Sequence, residues 1–235
     1  MSSIVFNEDC IEGMARYPDK YFDLAVVDPV YGGVKQGGYM KNQSGGGVGP
    51  HHKYHTEIWN QEKTGKEYFE ELFRVSKNQI IWGGNYFCKE IARDSQCWIV
   101  WDKCHPEGIK FADAELAWTS FDQHTRIFRF LWNGMLQGTP GNGTKAQADK
   151  QLKEKKIHPT QKPVALYTWI FQNYAKPGDK ILDTHLGSGS SRIAAYEQGL
   201  DFVGFEIDKK YFESEEERFK AYTAQMSLFR MGEWN

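Results

Sequence analysis

The sequence predicts a doubly wound α/β domain, a mostly parallel sheet with helices on both faces. Three observations predict it. Short apolar runs alternate with helical patterns along 235 residues, as in successive βαβ units. Several runs, "LAVV" and "IIW" among them, are apolar without alternation, as strands covered on both faces must be. The length suits one substantial core.

In chain order, strands are expected at "SIVFN", "FDLAVVD", "QIIWGG", "CWIVWD", "AELAWTS", "RIFRFLW", "KILDTH" and "DFVGFEI". Helices are expected over Gly65–Val75, Pro163–Tyr174, Ser190–Gln198 and Lys209–Gln225. Two stretches break the alternation. Gly32–His55 is rich in glycine and polar residues, and Trp132–Lys162 begins glycine-rich and becomes lysine-rich. Structureless stretches of that length are usually functional or disordered. The expectation is one domain over residues 1–235 with irregular excursions at 33–60 and 132–157.

Composition narrows the partners. A net charge of -2 with 26% charged residues gives no global pull toward polyanions or anionic membranes, so nucleic acid would have to be met by a local basic patch. The 4 cysteines, Cys10, Cys88, Cys97 and Cys104, show no C-x-x-C pairing and read as reduced thiols. The start "MSSIVFNED" has neither a basic nor an apolar signal region, and no run approaches membrane-span length. A cytoplasmic protein without a membrane partner is expected.

The most informative stretch is "KILDTHLGSGSSRIAAYEQGLDFVGFEID". A strand ends, Gly187 and Gly189 turn the chain, and a helix begins. Glycines let a ligand approach the backbone, and a helix N-terminus offers free N–H donors. Glu206 follows on the next strand about 20 residues later, where a carboxylate can accept both ribose hydroxyls of a nucleoside. A structural turn with a surface glutamate remains the plainer alternative. The dinucleotide fingerprint wants a third glycine where Arg192 stands, which disfavours NAD and favours an adenosyl cofactor without a pyrophosphate.

At the other end, "FDLAVVDPVYGG" delivers Asp28 and Tyr31 together at the end of an apolar strand. Asp and Pro are also common turn residues. Read together, the two ends resemble the β-group of amino-directed DNA methyltransferases, which modify adenine N6 or cytosine N4. "DPVYG" is similar to that group's D-P-P-Y motif, "HPTQKPVALY" to its cofactor-side motif, and "DTHLGSGSS" to D-P-F-x-G-S-G-T-T. "FVGFEIDKKYFE", "FNEDC" and "IIWGGNYF" also resemble the group's segments, in its order.

The resemblance implies a Rossmann-like class I methyltransferase fold: seven mostly parallel strands with one antiparallel, permuted so that the catalytic half precedes the cofactor half. It implies S-adenosyl-L-methionine as cofactor and double-stranded DNA as substrate. It also implies a second subunit, since members of the group often dimerise. Asp28, Pro29 and Tyr31 carry over as catalytic residues: the Asp28 carboxylate and Pro29 carbonyl accept hydrogen bonds from the target amine, and Tyr31 stacks on the base. Asp183, Gly187 and Gly189 carry over to the methionine part of the cofactor, Glu206 to the ribose and Asp9 toward the adenine. Thr160, Gln161, Lys162 and Pro163 form the cofactor-side motif. Cys10, Asp28, His185, Ser188 and Asp208 complete the cofactor set. By residue preference alone Asp9 is equally a helix N-cap before "CIEGMARY". Asp28 at the first motif position, rather than serine, favours adenine over cytosine N4.

Three residues depart from the family pattern. Val30 replaces a proline that fixes φ near -65°, which predicts a freer loop and carries the alternative of a noncatalytic binding relative. Thr184 and His185 replace the usual proline and phenylalanine. His51 and His55 in "HHKYH" are spaced as zinc ligands on a helix would be, but sit in a glycine-rich stretch, and no metal is expected. Residues 33–60 are expected to act as a lid or DNA-facing loop. Residues 132–157, with Lys145, Lys150, Lys153, Lys155 and Lys156, are expected to form a small target-recognition segment.

Overall fold

The computed structural model describes residues 1–32, 63–105, 112–132, 137–139 and 154–232. The excursion at 33–60, with His51 and His55, lies outside the described residues, as do Lys145, Lys150 and Lys153.

The chain begins with β1 (Ser3–Phe6), α1 (Cys10–Met14) and β2 (Phe22–Val27). Then come α2 (Lys66–Val75), β3 (Ser76–Trp82), a 3-10 turn at Gly84–Tyr86, and α3 (Cys88–Ile91). The middle holds β4 (Trp98–Asp102), β5 (Ala114–Thr119), β6 (Arg126–Arg129), β7 (Leu131–Trp132) and β8 (Gln137–Gly138). The last part is α4 (Val164–Tyr174), β9 (Lys180–Asp183), α5 (Ser190–Glu197), β10 (Asp201–Phe205) and α6 (Lys209–Gly232).

The sheet runs β1-β10-β9-β2-β3-β5-β4-β6. Its first seven strands are those expected, and β5, antiparallel to both β3 and β4, is the inverted one. One further strand, β6, pairs parallel to β4 at the edge. The expected run "RIFRFLW" is thus divided. Phe130 donates its N–H to the Asp102 carbonyl, and β7 leaves to pair with β8 in a separate two-stranded ribbon.

Two permuted halves meet inside this sheet. β9 lies between β10 and β2, with Leu24 opposite Ile181 and Ala25 opposite Leu182. Along β2 the side chains alternate between two cores. Leu24 and Val26 pack with Leu166, Ile170 and Phe171 of α4. Phe22, Ala25 and Val27 pack with Phe69 and Leu72 of α2. Each large side chain fully buried this way contributes roughly 1.5–3 kcal/mol relative to exposure, so β2 is fastened from both faces. Its final residue, Val27, sets where Asp28 must stand.

Candidate active site

Strands β1, β2, β9 and β10 run in one direction, so their carboxyl ends open on one edge. In open α/β sheets ligands gather there, near the point where strand order reverses. A cavity of about 350 Å³ lies at that edge. Glu8, Asp9, Cys10 and Ile11 line it from behind β1, and Asp28 and Val30 from behind β2. Thr184, His185, Leu186, Gly187 and Ser188 follow β9, and Glu206 and Ile207 follow β10. His158, Thr160, Gln161 and Lys162 close one side, and Thr64, Gly65, Glu67 and Tyr68 at the start of α2 close another.

Ten expected site residues therefore share one cavity wall: Asp9, Cys10, Asp28, Thr160, Gln161, Lys162, His185, Gly187, Ser188 and Glu206. Pro29, Tyr31, Pro163, Asp183, Gly189 and Asp208 stand behind it, for identifiable reasons. Asp183 is buried with both oxygens taken, Oδ1 by the His185 N–H at 3.0 Å and Oδ2 by the Ser191 hydroxyl at 2.5 Å. Burial outweighs these bonds and raises its carboxyl to about 6. Its visible work is to shape the turn after β9. Asp208 Oδ1 accepts from the N–H groups of Lys210 and Tyr211 and so caps α6. Gly189 sits at φ 69°, and a Cβ there would come within 2.4 Å of Glu215 Cγ. Pro163 is the N-cap residue of α4.

Asp9 is both things its residue type allows. Its Oδ1 caps α1 by accepting from Ile11 N at 2.8 Å and Glu12 N at 3.3 Å, and its side chain also faces the cavity. Burial, with Asp9 adjacent, pushes the Cys10 thiol to about 12, so it stays a neutral wall group. Glu206 accepts from Gly187 N at 2.8 Å and Asp208 N at 2.9 Å. Burial, partly offset by those bonds, raises it to about 7. Each oxygen retains a lone pair for a hydroxyl donor. Two apolar side chains of this wall, Ile11 at 42% and Ile207 at 58% exposure, are left open to solvent.

Around Asp28 the structure adds partners to the expected residues. Tyr31 is part-buried. Its hydroxyl donates to Asp28 Oδ1 at 2.5 Å, and its ring stacks on Tyr86 with centroids 5.0 Å apart. Gly83, at φ 65°, makes room: a Cβ there would come within 2.3 Å of the Tyr31 ring. The Val30 carbonyl accepts from Thr64 N at 3.0 Å and Thr64 Oγ1 at 3.2 Å, which ties this turn to the approach to α2.

Lys162, expected in the cofactor-side motif, lines the cavity, and its buried ammonium pairs with Asp28 Oδ2. The same nitrogen is 3.3 Å from Glu115 Oε2, while Glu115 Oε1 is 2.5 Å from Lys103 Nζ. Burial alone would raise the Glu115 carboxyl, but the ammoniums of Lys162 and Lys103 outweigh it and hold it at about 2. Glu115 and Lys103 escaped the sequence reading; the available signal was a lone acid inside the apolar strand "AELAWTS".

Gln161 folds the approach to α4. Its Oε1 accepts from Ile157 N at 2.8 Å, and its Nε2 donates to Glu154 Oε1 at 3.0 Å and the Lys155 carbonyl at 3.1 Å. Among the described residues no cluster of three metal-ligating side chains occurs, and no helix is long and apolar enough to cross a membrane.

A family model described as DNA methylase, of the N6/N4 type, matches residues 99–217. The chain is 23% identical over 256 residues to the type II methyltransferase M.HinfI of Haemophilus influenzae, covering 92% of this chain and 68% of that protein. Its fold is similar to that of M1.HpyAVI in complex with SAM, with a TM-score of 0.55, 20% identity, and coverage of 93% and 100% of the two chains. It is equally similar to the cytosine-N4-specific PvuII DNA methyltransferase, with a TM-score of 0.56 at 12% identity, covering 93% of this chain and 86% of that one.

Proposed function

The chain belongs to the N6/N4 DNA methylase family, and from that premise we propose that it methylates the exocyclic N6 of an adenine flipped out of double-stranded DNA. S-adenosylmethionine supplies the electrophilic methyl group, carried on a sulfonium. One observation carries the reading: Asp28 shares a single cavity with Gly187 and Glu206, residues separated from it by most of the chain.

The wall suits that cofactor. Glu206 offers a carboxylate to ribose hydroxyls, the exposed Ile11 and Ile207 offer apolar surface to an adenine ring, and Asp9 offers an acceptor near them. The N–H groups beyond Gly187 and the hydroxyl of Ser188 are the polar partners for the amino-acid end.

At the other end, the lone pair of an adenine amine is delocalised into the ring, which makes it a poor nucleophile. Acceptors on its two hydrogens favour the pyramidal geometry that attacks a methyl group. Asp28 and the Pro29 carbonyl are those acceptors, preorganised by Tyr31 from one side and by the Thr64 hold on Val30 from another. Extruding the base costs a few kcal/mol, and aromatic stacking returns about 1–3 kcal/mol. Tyr31 and the exposed Tyr86 form the aromatic surface for it. The exposed Lys155 and Lys156 approach DNA phosphates, which makes binding salt-dependent. A second copy of the chain, in the cytoplasm, adds surface for sequence readout.

Cytosine N4 is the second reading, favoured by the fold likeness to a cytosine-N4 enzyme; Asp28 at the motif's first position favours adenine. The test is incubation with labelled S-adenosylmethionine and unmethylated genomic DNA, followed by nucleoside analysis. Label is expected in N6-methyladenine. Asp28→Ala should lower the rate by about 10²–10³-fold or more. Label in N4-methylcytosine would transfer the assignment, and absence of label on any DNA would support the noncatalytic alternative.

A further inference from the structure

An ammonium beside the acid that must receive a developing cation is an electrostatic problem. As the methyl group passes to the amine, the nitrogen lone pair forms the new N–C bond, the C–S pair stays on sulfur, and positive charge arrives on the target nitrogen. Asp28 alone would answer it with one negative charge. Lys162, buried and paired with Asp28 Oδ2, cancels that charge and occupies one of the oxygens the amine needs. Also beside the Lys162 ammonium stands Glu115. It belongs to β5, outside every motif the sequence reading used.

We infer that Glu115 is a positioning residue for methyl transfer: it shares the Lys162 ammonium, so that Asp28 keeps a lone pair and more of its own charge for the amine. Three observations support this. The ammonium sits between two carboxylates, with Glu115 Oε2 at 3.3 Å as a second acceptor. Asp28, Lys162, Glu115 and Lys103 form an alternating chain of two acids and two ammoniums, in which Glu115 gives the Lys162 ammonium an acceptor besides Asp28. Lys103, 2.5 Å from the far oxygen of Glu115, keeps that acid ionised without touching Asp28. The Lys162 ammonium also lies 5.4 Å over the Trp82 ring, so its position is set by a third group. The inference rests on the methylation reading for its kinetic half and on the ion-pair geometry alone for the rest.

The test compares the wild type with Glu115→Gln and with Glu115→Gln/Lys162→Met. Glu115→Gln should lower kcat by about 10- to 100-fold, the weight of one hydrogen bond to a charged group, with S-adenosylhomocysteine affinity and KM for DNA unchanged. Removing Lys162 as well restores a net negative Asp28 and should recover about tenfold of the loss, a coupling of opposite sign to simple damage. In a second arm, ¹⁵N-lysine NMR of the full chain should show the Lys162 ammonium titrating at lower pH in Glu115→Gln than in the wild type. A double variant no better than the single, or a Glu115→Gln with wild-type kcat, overturns the positioning role. An unmoved Lys162 titration overturns the shared-ammonium geometry. A wild type that labels no DNA overturns the methylation reading and the kinetic half with it, while the NMR arm still decides the geometry.

Discussion

His185 shows how one substitution can alter the site's pH response. Burial, against the opposing pull of Asp28 and Asp9, lowers its imidazole to about 4. Its contribution to stability is therefore full above the free-histidine value of about 6.5 and is lost as pH falls through 4. His185→Phe, which installs the phenylalanine of the D-P-F motif this stretch resembles, removes that loss along with the bond between His185 Nδ1 and Thr184 Oγ1. Relative to the variant, the wild type should lose about 2–3 kcal/mol between pH 6.5 and 4. Denaturant unfolding of both proteins across that range measures it, and parallel pH profiles would refute the burial. At this scale the acids were legible because each ends a strand. Asp28, Asp183 and Glu206 follow apolar runs that could only be buried strands. The pairing of Lys162 with Asp28 was not legible, because the reach of its four methylenes is a fact of packing that spacing does not encode.

Elements depend on contacts made far along the chain. α4 starts at Val164 with Pro163 as N-cap and no side-chain cap of its own. Glu154 supplies one from outside the helix: its Oε2 accepts from Val164 N at 3.0 Å, and its Oε1 takes Arg218 at 2.5 Å and Ser190 Oγ at 3.2 Å. Carboxylates at a helix N-terminus are favoured by the helix dipole as well as by the open N–H groups. Glu154→Ala leaves the Val164 N–H without its carboxylate and the part-buried Arg218 guanidinium with only the Ser188 carbonyl and the Ser190 hydroxyl, and should cost about 1–3 kcal/mol. Thermal or urea unfolding checks this, and a loss under half a kcal/mol would mean water replaces the carboxylate. The long helices and all eight sheet strands could be read from apolar runs and helical spacing. α3 could not, being 4 residues long, and α1, 5 residues long, was marked only by Asp9 as a candidate N-cap. Helices this short form by docking; Gly13 of α1 lies almost against the Phe205 ring.

At the scale of the molecule, catalytic and cofactor halves share one sheet in which β9 is hydrogen-bonded to both. No seam divides them, so one cooperative unfolding transition is expected. S-adenosylhomocysteine at about 100 times its Kd should raise the stability of that whole transition by about 2.7 kcal/mol. Calorimetry with and without ligand measures it. Two transitions, with the ligand moving only one, would show that the halves unfold separately. The pairing of β1 with β10 has a further consequence, in time. Ser2 and Asp201, hydrogen-bonded at the edge of that pair, are 199 residues apart. On a ribosome making about 5–20 residues per second, the first strand waits roughly ten to forty seconds for its neighbour. Polypeptides interrupted before then lack β10, the parallel partner of β1, together with Glu206 of the cavity wall.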